Sequence, residues 1–370
     1  LVNAADLLNF GTTGLAVGDW LYSAYARTAP GYLPLNSYTT SYLVSSYPAL
    51  AAIVSPVVAP VSYVATARTL PTSAAWFAVE YGNNTFVALA STGAAAATSS
   101  DGITWTARTT SATGSWYALA YGNGVFVSAR HGSSSVLTSP DGITWTARTG
   151  ISGDWQDIAF GNGVFVVVGG TSAFPTSTAM TSPDGITWTS RTLPASAGWL
   201  SVTFGNGVFV AVTEADNRVA YSYDGITWLS ATLPSSTNWK SVVYGNGQFV
   251  AVAGTGTAAA TSPDGITWTA RTLPSSANWS TIAYGNNSFV AIAISSSAAA
   301  TSPDGITWTA RTMPTSTNWA DITFGAGKFV AVSQTSGTIA ATIDYAVTAT
   351  TFVLPVVPAR FGTTAYVKAT

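Results

Sequence analysis

"SPDGITWTART" occupies residues 302–312, and residues 139–149 and 262–272 repeat the same eleven letters. Near copies centre on Asp101, Asp184 and Asp224, with a degenerate one at Asp344, so the turn aspartates are spaced 40, 43, 40, 40, 40 and 40 residues apart. A second marker keeps the same period. It is an aromatic-Gly-Asn stretch followed by Phe, as in Tyr244-Gly245-Asn246-Gly247-Gln248-Phe249, and its Phe falls at Phe86, Phe126, Phe165, Phe209, Phe249, Phe289 and Phe329. The seventh copy has Ala326 in place of Asn. A third marker is a Trp ahead of that aromatic: Trp76, Trp116, Trp155, Trp199, Trp239, Trp279 and Trp319. Three independent markers therefore give seven units.

Within a unit the apolar period is two, and β-branched and aromatic residues dominate, which indicates strands. In the unit begun by Trp239 the expected strands are 239–244, 248–253, 258–262 and 266–271. Gly-Asn-Gly joins the first two and Pro263-Asp264-Gly265 the last two. In that turn Pro presets φ, Asp bonds the amides beyond it and Gly takes the left-handed position. The following Trp opens the outer strand, and burial of its ring contributes about 4–6 kcal/mol gross. Four strands in about 40 residues, repeated seven times, predict an all-β, seven-bladed propeller of four-stranded blades. The turn resembles the Asp-box of sialidase-type propellers, Ser-x-Asp-x-Gly-x-Thr-Trp, with one residue fewer between Asp and Gly. That resemblance implies a structural turn rather than a catalytic or metal-binding aspartate.

The last unit loses its Gly-Ile-Thr-Trp text after Asp344. A spare outer-strand ending stands before the first unit, where Tyr63-Val-Ala-Thr-Ala-Arg68-Thr-Leu-Pro71 parallels 266–274. Residues 62–70 are thus expected to complete the blade begun at Trp319, with 346–351 as the rival.

Composition narrows the chemistry. The 370 residues are 47% hydrophobic, enough for a large buried core, yet only 8% charged, with a net charge of −2. A basic nucleic-acid footprint is absent, so no nucleic-acid partner is expected. With no cysteine, disulfides, thiolate metal sites and a Cys nucleophile are excluded, and the single histidine, His131, excludes a multi-histidine metal centre. No cofactor is expected. Thr28 to Ala67 carries no charge but is interrupted by Pro30, Pro34, Pro48, Pro56 and Pro60, so no membrane insertion is expected. A first residue of Leu suggests a processed chain or part of a longer one.

The flanks differ in texture. Val17-Gly-Asp-Trp, Ala29-Pro-Gly-Tyr-Leu-Pro-Leu-Asn36, Ser45-Ser-Tyr-Pro-Ala-Leu50 and Thr350-Thr-Phe-Val-Leu-Pro355 resemble the phage tail-collar domain, interrupted by nearly three hundred residues. Ser37 stands where that family has Gly, and Val-Val-Pro follows Pro355 where it has Asp-Leu-Arg-Gly. The expected organisation is a tether over 1–16, a collar-like α+β domain over 17–61 and 346–370, and the propeller inserted at 62–345. The resemblance implies a non-enzymatic virion component, a tail-fibre or distal tail protein of an extracellular particle. Other virion proteins would bind its collar-like part, a host cell-surface glycan or protein its propeller, and the assembly would be a homo-oligomer. The alternatives are a carbohydrate-active enzyme of sialidase-like architecture and a purely structural decoration or fibre module.

Internal subtraction selects candidate site residues, since what all units share is scaffold. The connections between second and third strands vary most, and share a face with the blade-to-blade connections. Arg130, His131, Phe174, Glu214, Asp216, Asn217 and Arg218 stand there in units two to four, where other units mostly have Gly, Ser, Thr or Ala. They form the expected binding rim. His131 shows no Ser or Asp partner in the sequence, so a contact role is expected. Arg108, Arg148, Arg191, Arg271 and Arg311 repeat at one outer-strand site and cannot converge on a central axis. Glu80 and Glu214 are the only glutamates. Asp157 and Asp321 occupy equivalent innermost positions and are expected to line the channel as hydrogen-bonded groups. No catalytic residue is assigned.

Overall fold

The computed structural model describes residues 62–346 and four short flanking strands, Tyr32–Pro34, Ser41–Leu43, Thr351–Val353 and Tyr366–Lys368. Residues 62–346 form seven four-stranded antiparallel sheets, one for each repeat, arranged as the blades of a propeller, with no helix among the described residues. Blade five shows the plan: Trp239–Gly245, Gln248–Ala253, Ala258–Ser262 and Thr269–Thr272 pair in sequence order. The seventh blade takes three strands from 319–346 and its outer one from Ser62–Ala74. The two ends of the repeat array thus meet in one sheet. Arg68 Nε donates to Thr342 Oγ1 at 2.9 Å, reproducing the bond that Arg271 makes to Thr261 within blade five.

The outer strand begins later than the alternation suggests, at Thr269 rather than Ile266. The Asp side chain holds the intervening residues in the turn: Asp264 Oδ1 accepts from Ile266 N at 2.9 Å and from Thr267 N at 2.8 Å, while Ser262 Oγ accepts from Gly265 N. Trp268 ends this turn, its Nε1 donating to Gly265 O. The same amide bonds to the carboxylate recur around Asp101, Asp141, Asp184, Asp224 and Asp304. Six of the repeated aspartates are therefore turn-builders whose carboxyls lie below their ordinary range, held there by these amides against the opposing effect of desolvation.

The aromatic-Gly-Asn text has two structural roles. Asn and the following residue take left-handed φ, as at Asn246 (46°) and Gly247 (77°), the requirement of a tight two-residue hairpin. The Gly before them leaves room for the next blade's aromatic: a Cβ on Gly82 would lie 2.1 Å from the ring of Tyr121, and one on Gly122 equally close to Phe160. The series continues around the molecule until Gly325 meets Tyr81 of the first blade. The seven repeated Trp and Phe side chains are all fully buried, and the first six pairs lie in apolar clusters that span neighbouring blades.

Each innermost strand carries a β-bulge one residue after its Trp. Between Trp239 and Ser241 the register shifts, so Lys240 has no partner on the neighbouring strand, and the same shift occurs in all seven blades. The bulge sits at the end of the blade that carries the variable loops.

The chain divides into the ring, Tyr63–Tyr345, and a unit built from both flanks. In that second unit Tyr32–Pro34 pairs with Tyr366–Lys368, and Ser41–Leu43 with Thr351–Val353, both antiparallel. The 1–16 tether and the collar-like motifs at 17–20 and 45–50 lie outside the described residues.

Candidate functional site

The seven bulge residues are Phe77, Tyr117, Gln156, Leu200, Lys240, Ser280 and Ala320, and all of them line one cavity of about 280 Å³ at the loop-side mouth of the central channel. A bulge frees a residue from the ladder and re-aims its side chain, which makes the position tolerant of any residue type. The Trp before it is the same in every blade and the residue after it is small or an aspartate, while this position differs in all seven. Phe77 and Tyr117 stack with ring centroids 3.9 Å apart at 14°, and His131 packs on Tyr117 at 4.6 Å, tilted by 33°. Gln334, Asn278 and Ile294, from the loops of blades six and seven and the turn before blade six, complete the wall.

Deeper in the channel, the residue after the bulge reaches the next blade's backbone. Asp321 Oδ2 accepts from Val79 N and Asp157 Oδ2 from Val202 N, both at 2.9 Å; Ser201 and Ser241 accept likewise from Val242 and Ile282. Asp157 and Asp321 also accept from the amides of Ile158 and Ile322 at 2.8 Å. They are the hydrogen-bonded channel lining that their position implied. Glu80 lines the same lower channel, in a second cavity of about 310 Å³. Burial pushes all three carboxyls up: Glu80 to about 8, with the charges of Asp321 and Asp157 adding to it, Asp321 to about 7 and Asp157 to about 6. Among the described residues no group of three or more His, Asp or Glu side chains is placed to hold a metal ion.

The rim residues fall into two groups. In blade two, His131 Nε2 lies 2.7 Å from Asp154 Oδ1, a partner supplied by the connection into blade three and invisible to sequence spacing. Through Tyr117, His131 reaches the cavity wall; Arg130 precedes it, its buried Nε without an acceptor among the described residues. Burial and the Asp154 charge hold the Tyr117 hydroxyl above the usual phenol range. In the second group, Glu214 Oε2 accepts from Ser172 N at 2.8 Å, tying the loop of blade four to the loop that exposes Phe174 (74% accessible). Asp216 pairs with Arg218 at 3.2 Å, Arg218 Nη1 donates to Ser196 O, and Asn217 donates to Leu233 O. Among the described residues no hydrogen bond or ion pair joins the two groups.

Buried donors without acceptors also concentrate in blades two and three. The Nε1 groups of Trp76, Trp199, Trp239, Trp279 and Trp319 each donate to a carbonyl, whereas those of Trp116 and Trp155 have no acceptor among the described residues. The arginines expected at one outer site are there, Arg108, Arg148, Arg191, Arg271 and Arg311 each donating to a third-strand Thr. Subtraction over loops alone missed the bulge residues, although the signal was present: the letter after each invariant Trp reads Phe, Tyr, Gln, Leu, Lys, Ser, Ala.

A family profile for the DUF6242 beta-propeller domain matches residues 182–317. The likeness is to a propeller. Among solved structures, a streptogramin B lyase superimposes with a TM-score of 0.68 at 10% identity, covering 77% of this chain and 98% of that one. A catalytically inactive virginiamycin B lyase from Staphylococcus aureus, solved with quinupristin, gives 0.69 at 10% identity, covering 77% and 100%. YCF48 bound to a D1 peptide gives 0.60 at 16%, covering 78% and 96%. At these identities the likeness establishes the fold. No curated protein sequence matches this chain.

Proposed function

We propose that this chain is a non-enzymatic recognition protein whose propeller binds a host cell-surface glycan on its loop-bearing face, as part of the distal tail of a phage virion. The observation that carries the recognition reading is the bulge ring: seven different side chains at one repeated position, all facing one cavity. Scaffold alone gives no reason for such divergence, because the flanking Trp is the same in every blade. Aromatic faces beside amides and a cation suit sugar rings, which present apolar C–H faces and hydroxyl edges. The rim residues Arg130, His131, Phe174, Glu214, Asp216, Asn217 and Arg218 extend that surface outward. The virion assignment, the attachment to other virion proteins and the homo-oligomeric state are supported by the resemblance of the flanks to tail-collar domains. Strands from the two flanks pair with each other, as an interrupted domain requires.

The test is adsorption of the purified protein to host cells and to their isolated surface glycans. Replacing Arg130, His131, Glu214 and Arg218 together by Ser is expected to abolish adsorption with the unfolding temperature unchanged, and no turnover of the glycan is expected. Undiminished adsorption by that variant would move recognition off the rim.

A second reading has one specific observation behind it. A histidine oriented by a carboxylate next to a cavity is the geometry of a general base, and His131 with Asp154 has it. Glycan cleavage that disappears in His131→Ala would replace the first reading by this one.

A further inference from the structure

The bulge ring is lopsided. Blades one to five place Phe77, Tyr117, Gln156, Leu200 and Lys240 at the mouth, whereas blades six and seven place Ser280 and Ala320 there. The small side chains open a gap two blades wide, with Lys240 on one side and Phe77 on the other. Its floor is Thr281 and Asp321, and Asn278, Ile294 and Gln334 bound it from the loops. The Ser280 hydroxyl does not fill this space, since it donates to Trp319 O at 2.7 Å.

Charge decides what the gap would accept. The acids beneath it are already committed: Asp321 accepts from two backbone amides and from Thr281 Oγ1, and Asp157 from two amides. Lys240 forms none of the ion pairs found among the described residues. Its stem is seated against Gly254, where a Cβ would come within 2.6 Å of Lys240 Cγ; the corresponding residues in blades six and seven are the larger Ile294 and Gln334. Lys240, half-buried, with a packed stem and an ammonium that offers three donors, is thus the uncommitted charge at this mouth among the described residues.

We infer that the gap over blades six and seven is a subsite for one carboxylate-bearing sugar, a hexuronic acid, with Lys240 holding the carboxylate and Phe77 contacting the ring face. A cavity of about 280 Å³ accommodates a single small ligand rather than a chain, so the sugar would enter as the terminal residue or branch of a larger glycan. The amides of Asn278 and Gln334 supply both donors and acceptors for hydroxyls. This inference rests on the recognition reading and names the chemistry of the ligand.

The test is titration of the whole protein with D-glucuronate, and with D-glucose as the neutral match, by calorimetry or ligand-observed NMR at low ionic strength. Saturable binding of glucuronate is expected, at least tenfold tighter than glucose and weakened by added salt. Lys240→Met should remove that preference, Lys240→Arg should keep most of it, and Phe77→Ala should weaken both sugars. Equal affinity for the two sugars, absence of glucuronate binding, or a preference that survives Lys240→Met would each overturn the subsite. Were Lys240→Met to unfold, loss of the parent's preference in high salt would still support the charge contact, and an unchanged preference would refute it. Failure here with adsorption to host glycan intact would leave the recognition reading standing; loss of adsorption by the parent protein itself would remove that reading instead.

Discussion

At position 326 the repeat breaks its own rule. Six blades place Asn in the left-handed first position of the inner hairpin, and the seventh places Ala326 there with φ of 45°. An L-residue with a Cβ is disfavoured in that region by about 1–2 kcal/mol, whereas Asn tolerates it. Asn has a second role as well. Asn123 Nδ2 donates to Pro183 O at 2.9 Å and Asn246 Nδ2 to Pro303 O at 3.1 Å, each tying a hairpin to the aspartate turn of the next blade. Ala326 offers no such tie. Ala326→Asn is therefore expected to stabilise the ring by about 1 kcal/mol, read as a higher unfolding temperature with no change at the mouth. Residue-level chemistry of this kind was legible in the sequence wherever it repeats, because repetition separates the turn aspartates and hairpin asparagines from everything else. The pairing of His131 with Asp154 was not legible, since it joins two blade connections that each occur once.

The innermost strands concentrate the unusual electrostatics. Glu80, Asp157 and Asp321 each keep a proton to higher pH in the ring than in an unfolded chain, where ordinary values are 4.5 for Glu and 3.8 for Asp. Between about pH 4 and pH 8 the folded state thus binds more protons than the unfolded one, and stability falls as pH rises through that window. The turn aspartates act in the opposite direction and only at the acidic end, losing their contribution as pH falls below 3.8. Thermal unfolding followed from pH 5 to pH 8 should show a declining unfolding temperature, and the double substitution Asp157→Asn, Asp321→Asn should flatten that decline. An unchanged slope in the double variant would show that these carboxyls ionise freely in the folded ring. The strands themselves were readable from their alternation, but the bulges were not. A period of two marks which face a residue occupies, and one extra residue after each Trp is absorbed without disturbing the pattern on either side. The outer strand was placed three residues early for a related reason: Ile, Thr and Trp after the Gly have strand character, while a carboxylate holds them in a turn.

On the scale of the whole molecule, closure depends on a strand from the far end of the array. Leu70 of that strand is buried beside Trp76, Val330 and Val332, so the closing strand belongs to the core and not only to the edge. A variant lacking residues 62–70 should leave strand Gly337–Ala346 with a bare edge. Hydrogen exchange is expected to accelerate at its amides first, with a lower unfolding temperature, while blade four keeps its protection. Uniform acceleration around the ring would instead mark closure as a property shared by all blades. The duplicated text at 63–71 made this arrangement legible over its rival at 346–351, because it is a displaced copy of the outer-strand ending that the last unit lacks.

The contact between neighbouring blades has a direction. Each blade offers a glycine as a socket on one side and an aromatic ring as a plug on the other, and both are written next to each other in the same repeat, as Tyr244 and Gly245 are. Such a head-to-tail joint is heterologous, and it yields a ring only because the rotation at every joint is alike. Duplication of one repeat would therefore carry a complete socket and plug with it, and the array could lengthen or shorten by whole units without creating a mismatched seam. The mouth gains one new side chain at each such step, so the same event that adds a blade adds an independent position at which a ligand contact can be tried.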